Sequence, residues 1–324
     1  SNTVGLVRSL LNDPQCSRVA LIGRKRSQII PYQIVFAGQK IPFYAAEDLH
    51  VLLSEAFKEL KDILAIQARA RAGGGFPDDP VQSLLKLCDK IKRYPLAKRD
   101  REQLQRHLYS KSPTDLKGAL RALVEYTGPL KGTNLGGRAS VDFASSIAPL
   151  IDAATVSEAI KAISDHFDGL KKDYGKSLED IFYADPPFLY LSEYAQRYGE
   201  DFAAFYSDIE RAIATLARIL PEDDPPPEDA EWKLPLHLMT ALRAKGKEFD
   251  AVIILDANDG IWPSKLALDD NQLEQERRLF YVAMTRARRY LYFIVNDSML
   301  GEFCYPTPYL AEMDLPIPET IIQD

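Results

Sequence analysis

The sequence predicts an α/β fold in two pieces, with a block of helices between them. Short apolar runs of strand length occur near both ends of the 324-residue chain, as in RVALIG from Arg18 and AVIILDA from Ala251. Between them, apolar residues recur at spacings of three and four, which is typical of helices. Strands that alternate with helices favour a parallel sheet flanked by helices. We therefore expect one α/β domain that a mostly helical insertion interrupts.

The first α/β segment is predicted to run in the order strand, turn, strand and long helix. The segments that carry this order are RVALIG (18–23), QIVFAG (33–38), IPFYAAED (41–48) and a helical pattern from 49 to about 70. Asp48 is a candidate cap for this helix. The helix is predicted from apolar residues that recur every four positions, at Leu52, Ala56, Leu60, Leu64 and Ala68.

Two breaks delimit the helical block. The run RAGGGFPDDP (71–80) is rich in glycine, and PEDDPPPEDAEW (221–232) carries four prolines and six acidic residues, which is typical of an extended linker. These breaks predict domains at 1–72, 73–232 and 233–324. The last domain is expected to hold strands over 236–240, 251–257 and 290–296 and a helix over roughly 271–288.

Composition excludes several classes of protein. The net charge is −7, with 46% hydrophobic and 27% charged residues, which is ordinary for a globular protein. No apolar run approaches the roughly 20 residues that a bilayer requires, so we expect a cytoplasmic protein with no membrane contact. Three scattered cysteines and four histidines without ligand spacing predict no metal site. The opening Ser1-Asn2 looks like an expression scar, and a longer parent protein is therefore expected.

Two short stretches carry candidate phosphate-binding residues. In LMTALRAKGKEF, Lys245 and Gly246 place an ammonium and backbone N–H groups in one turn between strands, which suits phosphate. The alternative is a tight turn with Lys245 in solvent. Arg286 is predicted to project from the apolar side of the last turn of the 271–288 helix, beside inward-facing Leu279, Val282, Ala283 and Ala287. A phosphate would partner this guanidinium, and the alternative is an arginine that caps the helix end.

These segments, in this order, resemble motifs IV, V and VI of the UvrD/Rep-like superfamily 1 DNA helicases. LIGRKRSQ (21–28) resembles LYRTNAQSR, TALRAKGKEFDAV (240–252) resembles TxHxAKGLEFxxV, and EQERRLFYVAMTRARRYL (274–291) resembles EEERRLxYVAxTRAxxxL. Shorter family elements are mirrored by IPF, ELKD, DGIWP and TPYLAEM. The likeness covers residues 1–66 and 233–324, and the helical block stands where the family has its 2B insertion.

The resemblance implies the C-terminal half of a helicase, namely the second RecA-like (P-loop NTPase-type) motor domain. Two such domains clamp ATP with Mg²⁺ between them. The Walker A loop and the Walker B carboxylates are not found in the sequence, so the N-terminal motor domain is expected to supply them. Gly175-Lys176-Ser177 lacks the leading glycine of a phosphate loop and is taken as a chance match. By itself, the chain is expected to be inactive as an ATP hydrolase.

The resemblance also implies roles for individual residues. Arg24 and Arg286 would be catalytic arginine fingers on the γ-phosphate of ATP. The other ATP-binding residues would be Lys245, Gly246, Glu248 as acceptor from the ribose, and Tyr281 stacked near the nucleotide. DNA contacts would come from Thr240, Arg243 and Lys247, although the usual histidine of motif V is Leu242 here. No metal ligand is predicted.

The predicted function is that of an ATP-dependent DNA helicase or translocase active in DNA repair. It would move 3′ to 5′ on single-stranded or partly duplex DNA, and its helical insertion could bind a protein partner. The alternative is a non-catalytic DNA- or protein-binding scaffold derived from a helicase. Retention of Arg24, Arg286 and Glu248 together favours the motor. A nuclease-linked recombination helicase of the same superfamily also stays open.

Overall fold

The computed structural model describes residues 2–45, 51–53, 55–71, 79–90, 97–128, 139–174, 188–219, 234–267, 269–299 and 302–314. The chain forms two compact units, one from Ser1–Val51 with Ala212–Asp324, and the other from Leu52–Arg211. The predicted borders at 72/73 and 232/233, most of the glycine-rich run and the acidic linker lie outside the described residues.

The first unit begins with α1 (Asn2–Leu11), β1 (Val19–Gly23), α2 (Ile30–Gly38) and β2 (Tyr44–Ala45). Strand β1 is confirmed, and all of its residues are buried. The predicted strand at 33–38 is wrong, because these residues belong to α2. A proline stands in the first turn of α2 and the buried residues recur at helical spacing, so periodicity prevails over the β-branched composition of this short apolar run.

The second unit is built from helices, as predicted for the described part of the block. They are α3 (Glu55–Arg71), α4 (Pro80–Lys90), α5 (Lys98–Ser110), α6 (Leu116–Val124), α7 (Ala139–Asp152), α8 (Val156–Tyr174), α9 (Leu189–Ala195) and α10 (Phe202–Ile219), the last of which ends in the first unit. Helix α3 starts later than predicted, after a 3-10 turn at Val51–Leu53. The proposed cap Asp48 and the Gly175-Lys176-Ser177 stretch lie outside the described residues.

The chain then completes the first unit. Its remaining elements are β3 (Leu236–Thr240), β4 (Phe249–Ile254), α11 (Asp270–Met284), β5 (Ala287–Phe293), β6 (Ser298–Met299), β7 (Glu302–Phe303) and α12 (Pro308–Glu312). The predicted extension of the helix to residue 288 is wrong. The helix ends at Met284, and Ala287 already pairs with Phe249 in the sheet. The aromatic residues that follow favour a strand, so sheet pairing starts directly after the helix.

Five parallel strands form the sheet in the order β2-β3-β1-β4-β5. The predicted α/β class, a parallel sheet flanked by helices, is confirmed. Because the strands are parallel, all of them begin at one edge, the amino edge, and end at the other, the carboxyl edge. None of the helices in the described ranges is long and apolar enough to cross a membrane.

Candidate functional site

The predicted site residues divide between the two edges of the sheet. Residues 245–248 precede β4 and Arg286 precedes β5, so both belong to the amino edge. Arg24 follows β1 and Thr240 ends β3, so both belong to the carboxyl edge. The six residues of β4 rise by roughly 17 Å from one edge to the other. The structure therefore does not bring the backbones of the two predicted fingers together.

Arg286 lies in the two-residue turn between α11 and β5, and its side chain is half-buried. Its Nε donates to the carbonyl of Val282 at 2.9 Å, and its two Nη atoms donate to the Lys247 carbonyl at 3.2 Å and to Thr285 Oγ1 at 3.0 Å. All three acceptors are uncharged. Among the described residues, no carboxylate forms an ion pair with Arg286. The guanidinium is thus held in place, and the described part of the chain provides no carboxylate to balance its positive charge.

Glu248 lies beside this arginine, directly before β4. Its Oε2 accepts a hydrogen bond from Arg288 Nε at 2.9 Å and forms an ion pair with Arg288 Nη2 at 2.8 Å. Both side chains are about half exposed, at 55% for Glu248 and 52% for Arg288. An ion pair this exposed contributes little to stability, so Glu248 can exchange Arg288 for another donor at small cost.

A turn and an exposed ring complete the amino edge. Gly246 adopts a left-handed φ of +81°, which a residue with a side chain rarely adopts. The preceding Lys245 is exposed. Tyr281 stands on the last turn of α11 with 62% of its surface exposed. Lys247, predicted to contact DNA, lies here with the predicted nucleotide residues, because its carbonyl accepts from Arg286.

Arg24 is bound by a carboxylate that the sequence did not single out. Its Nε and Nη2 donate to the two oxygens of Glu276 at 2.8 and 2.5 Å, and Ser264 N–H donates to Glu276 at 3.3 Å. The side chains are 28% and 11% exposed. The buried residues of α11 are Glu276, Phe280 and Ala283, at the four- and three-residue spacing of one helix face. That spacing is the signal for an inward-facing Glu276.

The inward face of α11 also differs from the prediction. Ala283 is buried as expected, whereas Leu279, Val282 and Ala287 are only half-buried. Phe280 is also buried on this face, and its ring centroid lies 5.1 Å from that of fully buried Trp262. Trp262 Nε1 in turn donates to the Leu255 carbonyl at 3.1 Å, at the end of β4. This aromatic packing fixes α11, and with it both Glu276 and the turn that holds Arg286.

A buried polar network lies at the carboxyl edge. Asp256 follows β4 and accepts from Gln28 Nε2 at 2.5 Å and from Asn296 Nδ2 at 2.7 Å. Burial raises the pKa of Asp256, and the hydrogen bonds from these two amides oppose that rise. The network links the loops that follow β1, β4 and β5, so it fixes the shape of this edge.

The carboxyl edge also holds two of the residues predicted to contact DNA, together with a pair of exposed aromatic rings. Thr240 and Arg243, both predicted to contact DNA, lie three positions apart there, and Arg243 N–H donates to the Thr240 carbonyl at 3.0 Å. Phe303 and Tyr305 are 53% and 67% exposed, and their ring centroids lie 5.0 Å apart. Asp259 N–H donates to the Tyr305 carbonyl at 2.9 Å, which ties this pair to the loop after β4.

This aromatic pair was not predicted from the sequence. The available signal is their spacing of two in an extended stretch, which puts both rings on one face. Within the described ranges, no group of three or more His, Cys, Asp or Glu residues is placed to hold a metal ion.

Comparison with known proteins supports the resemblance over the C-terminal part of the chain. Residues 190–298 match the family model of the UvrD-like helicase C-terminal domain. The ATP-dependent DNA helicase Rep of Buchnera aphidicola (subsp. Schizaphis graminum) is 39% identical over 83 residues, which are 25% of this chain and 13% of that protein. DNA helicase II of Escherichia coli K12 is 35% identical over 98 residues, 29% of this chain and 13% of that protein.

A third relative is matched over a longer stretch. The probable DNA helicase II homolog of Mycoplasma capricolum is 33% identical over 130 residues, which are 38% of this chain and 18% of that protein. The chain spans less than a fifth of the length of each of these three relatives. The predicted resemblance to UvrD/Rep-like helicases is confirmed for the C-terminal region.

Proposed function

We propose, from the UvrD/Rep-like C-terminal region that this chain carries, that the protein is the second motor half of an ATP-dependent DNA helicase or translocase. In this proposal another domain of the parent protein supplies the phosphate loop and the Mg²⁺ ligands. The protein would act in the cytoplasm and move 3′ to 5′ along single-stranded DNA, by analogy with the helicases it resembles.

One observation carries the proposal, namely the state of Arg286. Its guanidinium is fixed by three uncharged acceptors, and its charge is not neutralised by a carboxylate of the described residues. A guanidinium is planar and permanently charged. Held in this position, it can bind the equatorial oxygens of the phosphoryl group that is transferred. Because the guanidinium is already oriented, little reorganisation is needed when negative charge develops on the phosphoryl group in the transition state.

The neighbours of Arg286 suit the rest of a nucleotide. Lys245 and the left-handed turn at Gly246 would lie near the phosphates, and the exposed ring of Tyr281 would stack close by. Glu248 would accept from the ribose hydroxyl after it leaves Arg288, which is inexpensive because that ion pair is half exposed. The amino edge is thus the proposed nucleotide edge.

Arg24 has a different role in this proposal. To contact a phosphate, its guanidinium would have to leave Glu276, which is 11% exposed. A carboxylate left unpaired at such burial is costly. We therefore assign Arg24 to the positioning of α11 through Glu276, and Arg286 alone to the γ-phosphate.

The carboxyl edge is the proposed DNA edge. Phe303 and Tyr305 would stack on bases of a single strand, which contributes about 1–3 kcal/mol per base in single-strand binders. Thr240 and Arg243 would contact the phosphates, which positions the strand without reading its sequence. With ATP at one edge and DNA at the other, closure of the motor domains over ATP would move the DNA-binding edge along the strand.

The test is DNA-stimulated ATP hydrolysis by the full-length protein. Arg286→Ala is expected to lower the rate by about 10³–10⁵-fold, whereas Arg278→Ala is the matched control. Arg278 lies on the same helix, is 76% exposed and pairs only with Glu274 among the described residues. Equal rates for the two variants, or a parent protein without a phosphate loop, would favour the non-catalytic scaffold instead.

A further inference from the structure

The exposed rings of Phe303 and Tyr305 lie in a short stretch, residues 303–307, which we call the ring segment. The two rings contact each other edge to face, and more than half of each side chain is exposed. Side chains this exposed change rotamer readily unless something holds them. The position of the rings therefore depends on the hydrogen bonds that fix the backbone of the ring segment.

The ring segment pairs with the loop that follows β4. Thr307 N–H donates to the Ala257 carbonyl at 2.9 Å, and Asp259 N–H donates to the Tyr305 carbonyl at 2.9 Å. An antiparallel bridge lies between these two hydrogen bonds. The loop thus binds the ring segment along its backbone, directly beside the exposed rings.

The side chain of Asn258, in the same loop, adds a hydrogen bond to the Tyr305 backbone. Asn258 is fully buried. Its Nδ2 donates to the Tyr305 carbonyl at 3.1 Å and to the Asn296 carbonyl at 2.8 Å, and its Oδ1 accepts from Asn296 N–H at 3.0 Å. Among the described residues, no other side chain forms a hydrogen bond with the Tyr305 backbone.

Asn258 is itself fixed by buried groups. Its carbonyl accepts from Trp262 N–H at 2.9 Å, and Trp262 is fully buried. The residue that shares its amide, Asn296, donates through Nδ2 to Asp256 at 2.7 Å. A buried amide that loses its partners leaves them unsatisfied, which is costly. Asn258 can therefore impose a position on the exposed segment that it binds.

We propose that Asn258 is a positioning residue of the DNA edge, whose amide holds the ring segment so that Phe303 and Tyr305 are already in place when a base stacks on them. This role rests on the proposed function, because it requires that the rings bind DNA. Asn258 itself is buried and does not contact the strand. A ring that is held in place loses less conformational freedom on binding, which strengthens the affinity.

The first experiment needs no DNA, because the chain carries its own probe. Cys304 lies between the two rings in sequence and is half-buried, whereas the other cysteines, Cys16 and Cys88, are buried. The rate at which iodoacetamide labels Cys304, followed by mass spectrometry, reports how often the ring segment opens. Asn258→Ala is expected to raise this rate about fivefold or more.

Asn296→Ala is the matched control for this measurement. It removes a side-chain amide of the same network, which donates to Asp256, but it keeps the backbone groups that bind Asn258. The labelling rate of Cys304 should therefore stay near that of the unmodified chain. Should Asn258→Ala fail to fold, Asn258→Ser, whose hydroxyl can still donate one hydrogen bond, should raise the labelling rate by a smaller factor.

The second experiment measures the affinity of the full-length protein for a labelled single-stranded oligothymidylate, normalised to the folded fraction. Asn258→Ala is expected to weaken binding about fivefold or more, within the range of one stacked base. In a background that lacks both rings, Phe303→Ala/Tyr305→Ala, the same substitution should have no further effect, because Asn258 acts through the rings. A merely structural role would weaken binding by the same factor in both backgrounds.

The outcomes separate this role from the proposed function. Equal effects of Asn258→Ala in the two backgrounds, or equal labelling of Cys304 in Asn258→Ala and Asn296→Ala, would overturn the positioning role and leave the DNA edge in place. Unchanged affinity after removal of both rings would contradict the DNA edge itself, and the positioning role would fall with it.

Discussion

The two edges of the sheet each hold an arginine beside a strand end, and the two arginines differ in what binds them. At the amino edge, the acceptors that Arg286 meets among the described residues are all uncharged. At the carboxyl edge, Arg24 meets both oxygens of Glu276. From this difference we predict that the counter-charge, more than the motif, decides whether an arginine is available to a phosphate. Four predictions test this and further differences between the two edges.

The largest effect is expected for Arg286 in the transition state of ATP hydrolysis. In the full-length protein, Arg286→Lys keeps the charge but loses the planar fork, so we expect most of the 10³–10⁵-fold effect of an arginine finger to be lost. ATP binding should change far less than binding of ADP with aluminium fluoride, which mimics the transferring phosphoryl group. Fluorescence titration with both ligands measures this split.

The same titration with Arg24→Lys sharpens the comparison. Because the ammonium of the substituted side chain would still pair with Glu276, both affinities should stay near those of the unmodified protein. Loss of the ADP and aluminium fluoride complex in the Arg24 variant alone would reverse the assignment of the two edges.

The next effect concerns stability at the carboxyl edge. Arg24→Ala leaves Glu276 without its partner, and we expect the free energy of unfolding to fall by about 3 kcal/mol, the low end for a buried pair because Arg24 is still partly exposed. Urea denaturation measures the loss. The double variant Arg24→Met/Glu276→Leu should recover much of it, since no charge is left buried. A loss no larger than that of Arg278→Ala would show that the pair does not position α11.

A smaller effect is expected for single-stranded DNA. Tyr305→Ala removes a stacking ring, and the affinity of the full-length protein should fall by about 1–3 kcal/mol. Tyr305→Phe keeps the ring and serves as the control. The salt dependence of binding should be equal in all three proteins, because no phosphate contact is removed. An altered salt dependence, or unchanged affinity in Tyr305→Ala, would place the DNA elsewhere.

The smallest effect is a difference in pH dependence between two aspartates near the ends of β4. Burial raises the pKa of Asp250, but hydrogen bonds from Ser17 and Arg18 outweigh it, so the pKa is lowered overall. The pKa of Asp256 is raised by burial. Asp250 therefore contributes stability above its unfolded pKa of about 3.9 that is lost as the pH falls through its folded value.

The contribution of Asp256 to stability has the opposite dependence on pH. Its folded form holds the proton more tightly, so stability falls as the pH rises from about 3.9 towards the folded pKa. Urea unfolding across this pH range should show that Asp250→Asn loses less stability at acid pH than the unmodified protein does. In Asp256→Asn the decline with rising pH should be absent. Identical pH profiles for the two variants would contradict the electrostatic difference between the edges.

Much of the fold follows from local pattern. The buried strands β1 and β4 and the helical block were predictable, because continuous apolar runs and helical spacing are unambiguous there. The structure of the segment at 33–38 was not predictable, because a six-residue apolar run fits a strand or a helix until its neighbours are known. The end of α11 also depends on tertiary structure, because the pairing of Ala287 with Phe249 decides where the strand begins.

The sequence proposes members of the candidate site but not their partners. The motif resemblance singles out Arg286, Glu248 and Arg24 as candidates, yet the carboxylate bound to Arg24 comes from a residue 252 positions away. Only the fold brings such groups together. The exposed pair of Phe303 and Tyr305 was missed because aromatic residues are normally interpreted as core.

The most direct test of the central claim is ATP hydrolysis by Arg286→Ala and Arg24→Ala measured side by side in the full-length protein, each rate normalised to its folded fraction. The claim predicts a loss of about 10³-fold or more for Arg286→Ala and a near-normal rate per folded molecule for Arg24→Ala. Comparable losses in both, or a greater loss in Arg24→Ala, would contradict it.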